Sequence, residues 1–191
     1  MGEAEATISI VIPTLNEAEN LPKTLASAQR ATQVQVIVVD GGSQDSTIEV
    51  AKARCSQVFV SSSGRAHQMN TGAKAACGDI LLFLHGDTLL PAGFDRLIRR
   101  TLAQPGVIAG AFELKIEGIG WGLRLVEWGV KGRSHLLQMP YGDQAIFLKA
   151  STFQEVGGFP DLPIMEDFEL VHRLRQRGKI AIAPAAVLTS S

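Results

Sequence analysis

Apolar and polar positions fall in blocks along the first half of the chain. Thr7 to Ile12 is β-branched and apolar and ends at Pro13, which predicts a strand with a hard stop, because proline has no N–H to continue a ladder. From Glu19 to Arg30, Leu21, Leu25 and Ala28 recur at helical spacing, with Pro22 tolerated in the first turn. Val34 to Val39 is apolar apart from Gln35, as expected of a strand buried on both faces. Asp40-Gly41-Gly42-Ser43 reads as loop, and Asp45 or Ser46 can cap a helix running towards Ala53. The pattern then repeats with a strand at Val58 to Val60, a helix at Arg65 to Ala76 and a fully apolar strand at Ile80 to Leu84. Such alternation predicts an α/β layer around a mostly parallel central sheet flanked by helices.

Beyond Asp87 the rhythm loosens. A helix is expected at Pro91 to Gln104, a strand at Ile108 to Glu117, a short strand at Ala145 to Leu148, a helix at Glu166 to Arg177 stopped by Gly178, and a strand at Ile180 to Ile182. Gly118 to Lys131 carries Trp121, Leu125 and Trp128 at i, i+4 and i+7, one face of a helix. That face could meet a lipid-linked acceptor, the bilayer interface or a partner subunit, or pack against the sheet, the commoner outcome. No repeat, low-complexity tract or linker interrupts the chain, so one domain is expected, with a nucleotide-binding half over about 1–90 and an acceptor half over about 91–191.

Composition narrows the partners. With 46% hydrophobic and 19% charged residues the chain is of folded, globular type, and its net charge of −1 removes the basic excess that phosphate-backbone binding requires, so no nucleic acid is expected. Met1 to Ala6 lacks the basic and apolar regions of a signal peptide, and no apolar run approaches the roughly 18 residues of a membrane span. Cys55 and Cys77 have no CxxC spacing and read as reduced thiols. A cytoplasmic setting is the default, with association at the cytoplasmic membrane face as the variant.

In open α/β sheets ligands bind beyond the carboxyl ends of the strands, and the polar clusters of this chain fall there. Asp40, directly after Val39, is placed to accept from a ribose hydroxyl or base N–H, or else to organise an Asp-Gly-Gly-Ser turn. His85 and Asp87 lie two apart after a buried strand, on one side if the chain stays extended. Asp87 suits Mg²⁺ or Mn²⁺ bridging phosphates, whereas His85 is more natural to Mn²⁺. The bland alternative makes Asp87 a helix cap and His85 a satisfied loop residue. Glu166, Asp167 and Glu169 open a helix, where they complement its dipole or supply a general base. Arg65 and backbone N–H groups near His67, Gln68 and Asn70 could hold a diphosphate, or form a solvated helix face.

Taken in order, Ile12-Pro13-Thr14-Leu15-Asn16-Glu17, Val38 to Thr47, Asn70-Thr71-Gly72-Ala73, Phe83 to Asp87, Gly142-Asp143-Gln144, Gly157-Gly158-Phe159 and Glu166-Asp167 resemble the family 2 glycosyltransferases of GT-A fold. Tyr141 to Phe147 and Pro163 to Asp167 look most like the bacterial radical-SAM/selenodomain-associated transferase branch. The resemblance implies a nucleoside-diphosphate sugar donor, UDP- or GDP-linked, an unknown hydroxyl acceptor, and inversion by direct displacement. Pro13, Thr14, Asn16 and Glu17 would line the nucleoside pocket and Asp40 would contact base or ribose. Gly42, Asp45, Gln68, His85 and Gly86 belong to the same donor-contacting set, and Arg65 would approach the diphosphate. Asp87 matches the last acid of the Asp-x-Asp motif that holds a divalent metal, Mn²⁺ or Mg²⁺. Asp167 matches the catalytic base, with Glu166 beside it, and Asp143 and Gln144 would face the donor sugar or acceptor.

The sequence departs from the family at His85, where the first acid of Asp-x-Asp would stand, which touches metal choice and nucleotide contacts. Relatives often continue past the point corresponding to Ser191 with basic or amphipathic helices, so part of an acceptor site or membrane contact is expected to be absent. Two other readings stay open. A nucleotidyltransferase of related fold would carry a Gly-rich, basic loop after the first strand, which Pro13 to Glu17 lacks. A non-catalytic nucleotide-sugar binder is made thinkable by His85, while Asp87, Glu166 and Asp167 argue against it.

Overall fold

The computed structural model describes residues 5–55, 57–116, 142–162 and 164–190. In chain order the elements are β1 (Ile8–Thr14), α1 (Leu21–Ala28), β2 (Val34–Asp40), α2 (Thr47–Arg54), β3 (Gln57–Val60), α3 (Arg65–Ala75) and β4 (Ile80–Phe83). They continue as β5 (Thr88–Leu89), α4 (Phe94–Leu102), β6 (Val107–Ile116), a 3₁₀ turn (Gly142–Gln144), β7 (Phe147–Lys149), α5 (Ala150–Glu155), α6 (Glu166–Arg175) and β8 (Lys179–Thr189). The helix expected over 118–131, with Trp121 and Trp128, and also Tyr141, lie outside the described residues.

All eight strands join one sheet in the order β3-β2-β1-β4-β7-β6-β8-β5. The first four strands are parallel, as expected, but β4–β7, β6–β7 and β5–β8 are antiparallel, so the sheet is mixed. β1 is central, and its pleat sends Ile8, Ile10 and Ile12 to the face covered by α1 and α4, and Val11 to the face covered by α3 and α6. Leu21, Leu25, Phe94 and Ile98 fill the first layer, whereas Ala66, Met69, Leu170 and Leu174 fill the second. Helices on both faces explain why β1 is apolar along its length.

Pro13 does not end β1. Thr14 O accepts from Gly41 N on the β2 side and Val11 O from Leu84 N on the β4 side. Odd positions therefore turn their polar groups to β4, and the β4 ladder stops at Val11↔Phe83. The N–H that Pro13 lacks has no partner strand to miss, so proline is tolerated there. β8 likewise runs on past Pro184, because the register with β6 shifts between Phe112↔Ala183 and Glu113↔Ala186 and leaves Pro184 in a bulge.

α3 lies close upon β1. A Cβ on Gly72 would run into Val11 and come within 3.1 Å of Val39, so glycine is what lets the helix approach the sheet.

Candidate active site

The loops leaving β1 and β2 are cross-bonded before any ligand is considered. Asn16 sits at φ 57°, its amide oxygen accepting from Gln44 N at 2.8 Å and its own N–H donating to Ser43 Oγ at 2.8 Å. Glu17 N donates to Thr47 Oγ1 (2.8 Å) and Ala18 N to Asp45 Oδ2 (3.2 Å). Thr47 in turn holds the Asp45 carboxyl below the usual carboxylate range through its hydrogen bonds. Asn16, Gly42 and Asp45 thus brace one wall from exposed positions.

Asp40 is held within its own loop. It has no accessible surface, Oδ2 accepts from the Gly42 and Ser43 N–H groups at 2.8 Å, and Oδ1 accepts from Ser43 Oγ (2.5 Å) and Thr14 Oγ1 (3.3 Å). Its carboxylate shapes the loop, as the turn alternative expects. Gln68 is similarly engaged, its amide donating to Thr14 O (2.8 Å) and Val39 O (2.9 Å) and tying α3 to two strand ends.

Between these loops and β4 lies a cleft of about 350 Å³. Pro13, Thr14, Leu15 and Glu17 line one side, Ser63, Gly64, Arg65 and Gln68 a second, and His85, Gly86 and Asp87 the floor. The floor is a turn and not extended chain, since Thr88 N donates to His85 O at 3.2 Å. Gly86 fits beneath Glu17, whose Cγ would lie 2.9 Å from a Cβ there, and its carbonyl accepts from Thr24 Oγ1 at 2.8 Å. Asp87 is oriented by Thr88 Oγ1 and Ser190 Oγ, each donating at 3.1 Å.

Two ionisable groups of the cleft are shifted from their ordinary values. Burial pushes the Glu17 carboxyl up, the Asn20 amide at 3.2 Å opposes this, and the nearby charges of Asp87 and Asp45 push further upward. Burial lowers the His85 imidazole to about 4, helped by Arg65 and opposed by Asp87 and Asp167. The ring is therefore neutral at pH 7, and its Nε2 is buried with no hydrogen-bond partner. Arg65, Asp87 and Asp167, drawn from α3, the β4 turn and α6, all act on this one ring.

At the start of α6, Glu166 is nearly buried and its Oε1 stands 3.7 Å from Arg65 Nη1, while Asp167 Oδ1 accepts from Phe168 N at 2.8 Å. Met165 precedes them in left-handed conformation (φ 68°), and Ala145 at φ 50° follows Gln144. Such outliers gather where a site over-determines the backbone. Gln144 is buried and donates to Phe112 O at 2.9 Å, which anchors the 142–144 turn to β6. Asp143 beside it is half-buried.

Among the described residues no group of three or more His, Cys, Asp or Glu side chains forms a metal cage. One carboxylate on the floor of a polar cleft nonetheless fits a cation whose remaining ligands are donor phosphates and water. A carboxylate has about four lone-pair sites, so Asp87 retains acceptor capacity beyond Thr88 and Ser190. Sequence reasoning missed Ser190, 103 residues from Asp87, and the pairing of Asn70, which donates to Phe159 O (2.8 Å) and accepts from Phe159 N (3.0 Å). Only the Asn70 and Gly157-Gly158-Phe159 motifs hinted at the second pairing.

A family model described as "Glycosyl transferase family 2" matches residues 9–152. Among curated proteins, 4,4'-diaponeurosporenoate glycosyltransferase of Staphylococcus haemolyticus is 34% identical over 98 residues, covering 47% of this chain and 26% of that protein. Polyprenol monophosphomannose synthase of Mycolicibacterium smegmatis is 35% identical over 106 residues, covering 52% and 35%. The matches thus span well under half of these relatives. Among solved structures, S. aureus TarS 1-349 in complex with UDP-GlcNAc superposes with TM-score 0.75 at 16% identity, covering 97% of this chain and 58% of that one. The mannosyltransferase PcManGT of Pyrobaculum calidifontis, in complex with GDP-Man and Mn²⁺, gives 0.70 at 20% identity, covering 98% and 57%. The fold is GT-A.

Proposed function

This chain belongs to glycosyl transferase family 2, and we propose that it moves a sugar from a UDP- or GDP-linked donor to a hydroxyl acceptor by direct displacement with inversion. The observation that carries the reading is the cleft at the strand ends that brings Glu17, Arg65, His85 and Asp87 together, with Arg65 Nη1 3.7 Å from Glu166 Oε1 at the start of α6. The nucleoside lies against Pro13, Thr14 and Leu15, within the loop frame of Asn16, Gly42 and Asp45. The diphosphate reaches Arg65 and Asp87. Asp167 takes the proton of the acceptor hydroxyl as its oxygen bonds to the anomeric carbon and the diphosphate departs with the electrons of the broken C–O bond. Glu166, held by Arg65, sets the guanidinium beside that leaving group. Asp143 stands at the sugar side.

Asp87, with His85 beside it, would hold the divalent metal, Mn²⁺ or Mg²⁺; when bound it neutralises charge on the leaving diphosphate. The narrower likeness to the radical-SAM/selenodomain-associated branch rests on the motifs at 141–147 and 163–167 alone. Among the described residues no helix is long and apolar enough to cross a membrane. A cytoplasmic setting, a lipid-linked acceptor and peripheral membrane contact are parts of the proposal.

Isothermal titration with UDP and GDP, each with Mn²⁺ and with EDTA, tests the donor side. Metal-dependent binding of one nucleotide is expected, weakened at least tenfold in Asp87→Ala, on the order of one charge-assisted contact. Binding that ignores metal and survives the substitution overturns the role of Asp87. Asp167→Asn separates enzyme from binder: donor binding is kept and sugar transfer falls by about 10²-fold or more, whereas unchanged transfer removes Asp167 as base.

A further inference from the structure

The geometry points to an apolar acceptor subsite formed by Leu162, Ile164 and Met165, which takes the hydrocarbon part of an amphiphilic alcohol whose hydroxyl is presented to Asp167. This rests on the reading of Asp167 as the base, and it names the class of acceptor.

The flanks of this stretch are fastened to α3. Asn70 clamps Phe159 from both backbone directions, His67 Nε2 lies 3.2 Å from Asp161 Oδ1, and Arg65 Nη1 lies 3.7 Å from Glu166 Oε1. Phe159 also packs edge-on against Phe83 at 4.8 Å. Between these anchors Leu162, Ile164 and Met165 are 42%, 75% and 48% exposed. Only six large apolar side chains among the described residues are exposed, and half of them fall in this stretch; a fourth, Leu15, lines the cleft. Scattered exposed apolar residues need no explanation, but a held cluster beside a reactive acid does. The left-handed backbone of Met165 belongs to the same design, turning Met165 outward and the next residue, Glu166, inward.

Three occupants compete for such a surface. The stretch carries carboxylates at Asp161, Glu166, Asp167 and Glu169, which disfavour an anionic bilayer. Three side chains supply far less than the roughly 800 Å² per partner of a stable dimer. The acceptor remains. Its hydroxyl must reach the first turn of α6, so the atoms beyond that hydroxyl lie over the residues leading into α6. The donor cleft is lined mostly by polar and small residues, with Pro13 and Leu15 as its apolar side chains.

The probe is a series of methyl, hexyl and octyl β-D-glucopyranosides, kept below the micelle concentration and titrated into the full chain with and without UDP and Mn²⁺. Affinity is expected to climb about threefold to fourfold per methylene that reaches the patch. In Ile164→Ser/Met165→Gln the climb should fall below twofold across the whole series. Met165→Gly, which suits the left-handed backbone and removes only the side chain, guards against misfolding and should also flatten it. Equal binding of methyl and octyl glucosides, or a climb unchanged in both variants, overturns the proposal. Variant-sensitive binding to phosphatidylcholine vesicles without a chain-length effect assigns the patch to a bilayer and overturns it. A dimer in sedimentation that the variants dissolve assigns it to a second copy and overturns it too. UDP and GDP binding is read separately: its absence beside an intact chain-length effect counts against the donor reading and leaves the patch's affinity for alkyl chains standing.

Discussion

The two halves of the molecule hold their site residues by different means. In the half that contains β1 to β4, each polar cluster follows directly from the end of a parallel strand, and neighbouring loops bond to each other over 26 to 30 residues. In the other half, position comes from distant pairings: Gln144 on β6, Phe159 on Asn70, and Ser190 on Asp87. A repeating strand-helix unit places its ligand-facing loop as a consequence of its own packing. The mixed half places its loops only when a remote partner has arrived.

Substitutions separate the two modes. The largest loss is expected from Gly72→Ala, which forces a methyl group between α3 and the buried Val11 and Val39. Overpacking of this kind costs about 3 kcal/mol, read as a drop in the urea midpoint, and the whole sheet should unfold together. His85 sits at the seam between the halves, and its folded value of about 4 lies below the 6.5 of the free side chain. The unfolded chain therefore gains a proton that the native site refuses as pH falls from 6.5 towards 4, and stability drops through that window. Between pH 7.5 and 5 the drop should be about 2 kcal/mol, and His85→Gln should lack it. Asn70→Ala is expected to cost about 1.5 kcal/mol by urea titration. Hydrogen exchange should quicken at Phe159 while β1 and β2 amides keep their protection, which confines the damage to the remotely held half.

The same division governs what can be read from the chain. β1 to β4 lie within a residue or two of their expected bounds because continuous apolar runs bounded by turn residues mark parallel strands by themselves. Pro13 misleads because its position in the ladder depends on where a neighbouring strand stops, which no local pattern records. β5 and α5 are too short to carry a period, and Pro184 hides the second part of β8 until the bulge against β6 is known. At the site, Asp87, Glu17 and Arg65 line the cleft. Asp40 and Gln144 are placed near it but turned inward, because a strand-end acid and a loop amide serve a backbone as readily as a ligand. The acids at the start of α6 also differ in their partners, which spacing cannot show: Glu166 is buried near Arg65, and Asp167 accepts from Phe168 N.

The bond between Ser190 and Asp87 also sets an order in time. A chain made from its N-terminus reaches Asp87, past the end of β4, while nearly half of the described residues are still unmade. Asp87 is then present but lacks one of the two hydroxyls that orient it, and its strand β5 has no neighbour until β8 emerges. The orientation of Asp87 is thus completed about a hundred residues after Asp87 itself is made, roughly five to twenty seconds later at the usual rates of synthesis.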